Sequence, residues 1–286
     1  MIWLFFALLA PALWAVTNII DDRLVNKQHS TPLTLMIITG LFGGIPCMAI
    51  LLFGHAQWPG WLTLALGLAS GIIGLLVYLP YFYALKFSGP ASDVLMWNLT
   101  PVLVTAFALI FLGDRLSIGQ YMAVVLLIIS SIVAGYTKGA HRGLSKAWHL
   151  MVLAATMSAV EILLQKMVFE RTGFQTGLAI CSFGLLLTAL CFVVFSTHGR
   201  RAFQAHMSGS VWKLMTLNEL LDVGAQVSRS FAISIGPLIL VKTAEGTQSI
   251  FIILLELLLF KKTEKDPRQL FFAAILVIVG LVLIES

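Results

Sequence analysis

Apolar windows about 20 residues long recur along the whole chain, the length a helix needs to cross a bilayer core of about 30 Å. Ten such windows fall at 2–20, 32–54, 61–84, 91–112, 117–136, 148–169, 174–196, 211–235, 238–260 and 268–285. They predict an all-α integral membrane protein of ten transmembrane helices, with almost nothing left for a water-exposed domain.

Polar residues interrupt some windows and spare others. The eighth window carries Asn218, Glu219, Asp222, Gln226 and Arg229. Asp222, Gln226 and Arg229 are spaced i, i+4, i+7 and Glu219 stands three before Asp222, so a helix puts all four on one face. The opposite side reads Leu217, Leu220, Leu221, Val227 and Phe231, suited to lipid or a packed neighbour. An ionised side chain at bilayer depth costs about 2.5–3.5 kcal/mol on insertion scales. Two acids in one turn therefore predict a functional stripe facing a protein interior or a wet cavity.

Elsewhere the first window ends in Trp14, Thr17, Asn18, Asp21 and Asp22. The two aspartates read as markers of the membrane surface, and Asn18, one turn deeper, as a cavity candidate. The second window has Gly40, Gly43, Gly44 and Pro46, small residues that let helices pack closely. In the third, Tyr78, Tyr81 and Tyr83 surround Pro80; tyrosines near a boundary suit an interfacial belt, but a proline can free carbonyls for a ligand. Tyr78 is the strongest site candidate of the three. The fourth has Asp93, which suits the dipole of a first helical turn, and the deeper Asn98 and Pro101. Glu161 and Gln165 share one face of the sixth, and Lys242, Glu245, Thr247 and Gln248 open the ninth. The seventh reads as structural.

Composition agrees with the windows: 59% of the 286 residues are hydrophobic, 11% are charged and mean hydropathy is +0.97. The formal charge of +5 is a matter of topology rather than of acidic partners, and no nucleic acid is implied. Loops after odd-numbered windows hold most of the lysines and arginines, among them Arg23, Lys27, Lys86, Lys138, Arg142, Lys146, Arg200, Arg201, Lys261 and Lys262. That side is predicted to be cytoplasmic, with both termini outside, in a bacterial inner (plasma) membrane. Ala10-Pro11-Ala12 resembles a signal-peptide cleavage site, but the start lacks basic residues and reads as an uncleaved first span. Cys47, Cys181 and Cys191 have no paired spacing, and the six histidines lie in or beside loops with no ligand spacing. No metal site, catalytic nucleophile or cofactor is expected.

The halves resemble each other. Leu9-Ala10 with Ala15-Val16 matches Leu153-Ala154 with Ala159-Val160, Gly89-Pro90 matches Gly236-Pro237, and Gln120 matches Gln269. Five spans per half is an odd number, so the copies enter the membrane in opposite orientations. The expected organisation is two inverted five-helix repeats, 1–136 and 148–286, joined by a cytoplasmic linker at 137–147, with a site near the midplane between them.

The run from Pro101 through Phe111-Leu112-Gly113-Asp114-Arg115-Leu116 to Gln120, and the turn at Ala84–Pro90, resemble the drug/metabolite transporter superfamily in its ten-span EamA-like form. Asp114 stands where that pattern has glutamate, Gln248 where a second copy would repeat Pro101, and Lys261-Lys262-Thr263-Glu264 in place of a second Gly-Glu turn. The resemblance implies a cavity lined by spans 1, 3, 4, 6, 8 and 9 that opens alternately to each side.

If Glu161, Glu219 and Asp222 face one cavity, repulsion and desolvation favour proton binding there. The expected function is a secondary transporter for a small metabolite (an amino acid, amine or similar zwitterionic or cationic solute), working by alternating access with proton coupling. Arg229 and Lys242 near the outer mouth suit a carboxylate or phosphate, which leaves a flippase for a lipid-linked substrate as an alternative. Equally, Arg229 can pair with Glu245, and Lys242 with another acid, as ion pairs that lock helices together. An intramembrane hydrolase would need acids on separate helices, and Glu161 with Asp222 offers that arrangement.

Overall fold

The computed structural model describes residues 2–28, 30–112, 117–137, 143–144, 146–206, 211–236, 238–260 and 267–285. Described residues are helical apart from loops and one two-residue strand pair, Tyr136–Thr137 with Gly143–Leu144. The motif Gly113-Asp114-Arg115-Leu116, the linker residues Lys138, Gly139 and Arg142, Pro237, and Lys261-Lys262-Thr263-Glu264 lie outside the described residues.

In chain order the helices are α1 (Ile2–Asp22), which runs on into a π-helical turn at Arg23–Lys27, α2 (Pro32–Phe42), α3 (Ile45–Phe53), α4 (Trp61–Ala84), α5 (Pro90–Trp97), α6 (Leu99–Leu112) and α7 (Ile118–Gly135). The second half has α8 (Lys146–Thr172), α9 (Phe174–Phe195), the short α10 (Thr197–His206), α11 (Val211–Ile235), α12 (Leu238–Glu245), α13 (Gln248–Phe260) and α14 (Pro267–Glu285). Among the described residues five helical stretches are long and apolar enough to cross a membrane: Ile2–Lys27, Pro32–Phe53, Trp61–Ala84, Lys146–Thr172 and Phe174–Phe195. The other five windows are also helical, but they are charged, broken or shorter. α11 carries Lys213, Glu219, Asp222 and Arg229, while α5–α6 and α12–α13 are each interrupted.

The two interruptions have local causes. Pro101 has no N–H to give the carbonyl one turn before it. At that break the Asn98 N–H turns back to Leu95 O (3.3 Å), and the Asn98 side chain caps Val94 O at 3.1 Å. At the other, Gly246 and Thr247 close a tight turn, with the Thr247 N–H on Ala244 O at 3.1 Å and its hydroxyl on the same oxygen at 2.6 Å. Proline opens α2, α5 and α14, where a missing N–H costs nothing. Thr31 caps α2 by accepting from Thr34 N at 3.2 Å.

Packing joins the halves throughout: α4 lies along α8 and α9, α7 along α14, and α1 along α11. The α4–α9 crossing depends on glycine. A Cβ on Gly71 would stand 2.2 Å from Cys181 O and 2.7 Å from Gly184 Cα, so the two backbones touch there. Gly71→Val is expected to force them apart at about 1–3 kcal/mol, read as a lower melting temperature in detergent; an unchanged melt would contradict the contact. Gly40 serves packing as expected, since a Cβ there would meet Leu75 and Ala189.

Candidate functional site

A cavity opens between the halves, lined by α1, α4, α5, α6, α8, α11, α12 and α13, and also by Gly43 and Pro46 beside the α2–α3 junction and by Cys181 and Ser182 of α9. Spans 2 and 7, expected to be scaffold only, therefore contribute wall, because the glycine contacts of α4 bring α9 against it.

Asp222 sits at the centre of one hydrogen-bond group. Trp14 Nε1 donates to its Oδ1 at 2.8 Å, the Tyr78 hydroxyl to Oδ2 at 3.1 Å, and Gln226 Nε2 to Oδ2 at 3.3 Å and to the Tyr78 oxygen at 2.8 Å. Asp21 sits at the centre of a second. It accepts from the Tyr81 hydroxyl at 3.0 Å and from Asn218 Nδ2 at 2.8 Å. Asn18 donates to the Tyr81 oxygen at 2.5 Å and accepts from Gln248 Nε2 at 2.6 Å. Among the described residues every donor to these two carboxylates is neutral.

The cations belong to other acids. Arg229 holds Glu161 with both terminal nitrogens, Nη2 to Oε1 at 3.0 Å and Nη1 to Oε2 at 3.4 Å. Lys242 meets Glu245 Oε2 at 2.5 Å. The expectation that Arg229 pairs with Glu245 is therefore corrected: Glu161 reaches it across the cavity wall, and Lys242, one turn from Glu245 on α12, takes that acid. Gly74 leaves the space for Glu161, whose Cγ would lie 3.2 Å from a Cβ there. The Arg229 guanidinium also lies over the Trp14 ring, 5.6 Å from its centroid.

Of the residues singled out in the sequence, Asn18, Tyr78, Asn98, Glu161, Asp222, Gln226, Arg229, Lys242 and Glu245 line the cavity. Glu219 does not. It is buried and turns toward α2, where Thr39 Oγ1 donates to its Oε1 at 3.1 Å. The shared stripe is thus real from Asp222 to Arg229 but ends short of Glu219, because the turn below faces α2. Val227, assigned to the outer face, lines the cavity, whereas Leu217 and Leu220 are exposed as expected. Asn98 donates to Ser249 Oγ at 2.8 Å, tying the two helix breaks together. Asp93, read as a dipole partner only, is buried against the cavity and accepts from Ser88.

Asp21 is the main residue that sequence reading missed. It is 5% exposed, and the chain continues beyond it in the π-helical turn rather than leaving the fold. The signal was present: Trp14, Asn18 and Asp21 have the same i, i+4, i+7 spacing as Asp222, Gln226 and Arg229. Tyr81, three residues after Tyr78, belongs to the same group.

Comparison with known proteins agrees with this architecture. Residues 1–136 match the EamA-like transporter family. Over 143 residues the chain is 29% identical to an uncharacterized transporter in the cobO 3' region of a Sinorhizobium species, covering 46% of this chain and 94% of that one. Over 128 residues it is 32% identical to a WAT1-related protein of Arabidopsis thaliana, covering 42% of this chain and only 33% of the plant protein. A solved crystal structure superposes with a TM-score of 0.67 at 20% identity, covering 98% of this chain and 94% of that one, so the two share a fold. Residues 1–136, just under half of the chain, are thus similar to the EamA-like transporter family, and one of the two relatives is named as a transporter.

Proposed function

We propose that the protein is a proton-coupled secondary transporter that moves a small cationic or zwitterionic solute by alternating access. One observation carries the reading: the cavity lies where two broken helices meet. α5–α6 breaks at Asn98 and α12–α13 at Gly246–Thr247, nearly the same positions once Gly89-Pro90 is laid on Gly236-Pro237. Interrupted helices at matching places in two halves are where transporters built from repeats bind their ligands.

Helix pairing supports an inverted repeat of 1–136 and 148–286 about the 137–147 linker. Exchanging each span for the one five later turns the α4–α8 contact into α11–α1 and leaves the α7–α14 contact unchanged. Such an arrangement suits ten spans rocking about a central site, in an inner membrane with both termini outside. The cavity's water-accessible volume of about 130 Å³ has room for on the order of ten waters at about 10–15 Å³ each, the scale of a small organic solute. Proton coupling is supported by Asp21, Asp222 and Glu219, buried carboxyl groups whose hydrogen-bond donors among the described residues are all neutral. Their charge has to be balanced by protons or by a cationic ligand. A phosphate-bearing lipid is less well served, since Arg229 and Lys242 are already matched, and Glu161, held by Arg229, is not free to pair with Asp222 as a hydrolytic dyad.

Purified protein in liposomes enclosing a pH-sensitive dye tests the coupling. Adding amines and amino acids in turn is expected to produce proton movement absent from protein-free liposomes. Solute exchange without proton movement would leave a carrier and remove the coupling; neither would remove the transport reading.

A further inference from the structure

Resting on that transport reading, we propose that the cavity selects organic cations bearing an ammonium group over amino acids and other zwitterions, the ammonium lying among Tyr78, Tyr81 and Trp97 and against Asp21 and Asp222.

Charge matching comes first. The described side chains lining the cavity include the carboxylates Asp21, Asp93, Glu161, Asp222 and Glu245, but only two cations, Arg229 and Lys242. Both cations are spent: the guanidinium makes a two-pronged contact with Glu161, and the Lys242 ammonium is held by Glu245. A ligand carboxylate would have to break one of these buried pairs or remain uncompensated, and both are costly away from water. A ligand ammonium meets the reverse situation, because among the described residues Asp21 and Asp222 are held only by neutral donors.

The aromatic walls supply the second argument. Tyr81 and Trp97 stand edge to face, with ring centroids 5.8 Å apart and planes at 90°, and Tyr78 meets Tyr81 at 6.4 Å and 79°. Rings set at right angles turn both faces and edges to one space, and the faces attract a cation. All three rings line the cavity together with Asp21 and Asp222.

Unpartnered atoms supply the third. Gln165 Oε1 and Glu245 Oε1 are buried, belong to cavity-lining side chains and have no hydrogen-bond partner among the described residues. Asn218 Oδ1, on the side chain that donates to Asp21, does not line the cavity but is likewise buried with no partner among the described residues. All three are acceptors, and an ammonium is a donor only. Arg229 Nε is a buried donor without a partner among the described residues, but its group's charge is already balanced by Glu161.

Three probes that differ only in their charged groups test this by calorimetric titration of the full-length protein in detergent. They are 2-phenylethylamine (ammonium), L-phenylalanine (ammonium and carboxylate) and 3-phenylpropionate (carboxylate). The amine is expected to bind at least about tenfold more tightly than the amino acid, with no binding of the acid. Trp97→Leu and Asp21→Asn are each expected to weaken amine binding roughly tenfold. Equal or tighter binding of phenylalanine, binding of the acid, or no binding of any probe overturns the proposal. So does amine binding that both substitutions leave unchanged in folded protein. Flux of each probe in liposomes keeps the two readings apart: amine binding without flux refutes transport and leaves the selectivity standing, whereas binding and flux of phenylalanine do the opposite.

Discussion

Arg229→Met is expected to destabilise the protein by about 3–5 kcal/mol, the cost of removing one partner from a buried ion pair. Among the described residues the guanidinium is the only hydrogen-bonding partner of the Glu161 carboxylate. Without it the acid must take up a proton or carry its charge in a poorly solvated wall, and the stacking of Arg229 on Trp14 is lost as well. Paired apolar replacements often cost little where a single deletion costs much. Glu161→Met combined with Arg229→Met should therefore recover most of the loss, and comparing the single and double variants isolates the coupling. Denaturant unfolding in detergent micelles is the measurement. If the double variant is as unstable as the sum of the singles, the pair is not what holds α8 to α11.

The course of the helices was legible because lipid imposes one rule on every segment, a long apolar run with its backbone bonded internally. The windows at 32–54 and 61–84 correspond to Pro32–Phe53 and Trp61–Ala84 to within a residue. The breaks at Asn98 and Gly246 were visible only as polar residues near Pro101 and Gln248, since a kink depends on which carbonyls lose their donors. Partner choice was harder still. Arg229 has Glu161 and Glu245 both within electrostatic reach, and sequence spacing orders residues along one helix, not across two. Asp21 was misread for a related reason: whether an acid at a helix end meets solvent depends on the next segment, here a π-helical turn that keeps the chain inside. Glu219 shows the limit of the helical wheel, which groups it with Asp222 although α2 claims the turn in between.

Asp222→Asn is expected to weaken binding of a cationic ligand by about 2–5 kcal/mol, roughly 30- to 3,000-fold at about 1.4 kcal/mol per tenfold, and to abolish proton-driven uptake. The carboxylate accepts from Trp14, Tyr78 and Gln226, and an asparagine has one acceptor oxygen where the acid has two. The fold should tolerate this at about 1–3 kcal/mol, because the Tyr78 hydroxyl can turn from donor to acceptor. The sign of the pH effect follows from competition. In the unaltered protein acidification protonates carboxyl groups and displaces the cation, so binding strengthens as pH rises for as long as the ligand stays protonated. Asp21, Glu219, Tyr78 and Arg229 also act on or beside Asp222, so the dependence should flatten in the variant rather than vanish. Glu219→Gln is the informative partner: its carboxyl group lies off the cavity against Thr39, and cation affinity should change by no more than about threefold, under 1 kcal/mol. If instead Glu219→Gln abolishes binding while Asp222→Asn spares it, the cavity has been assigned to the wrong face of α11.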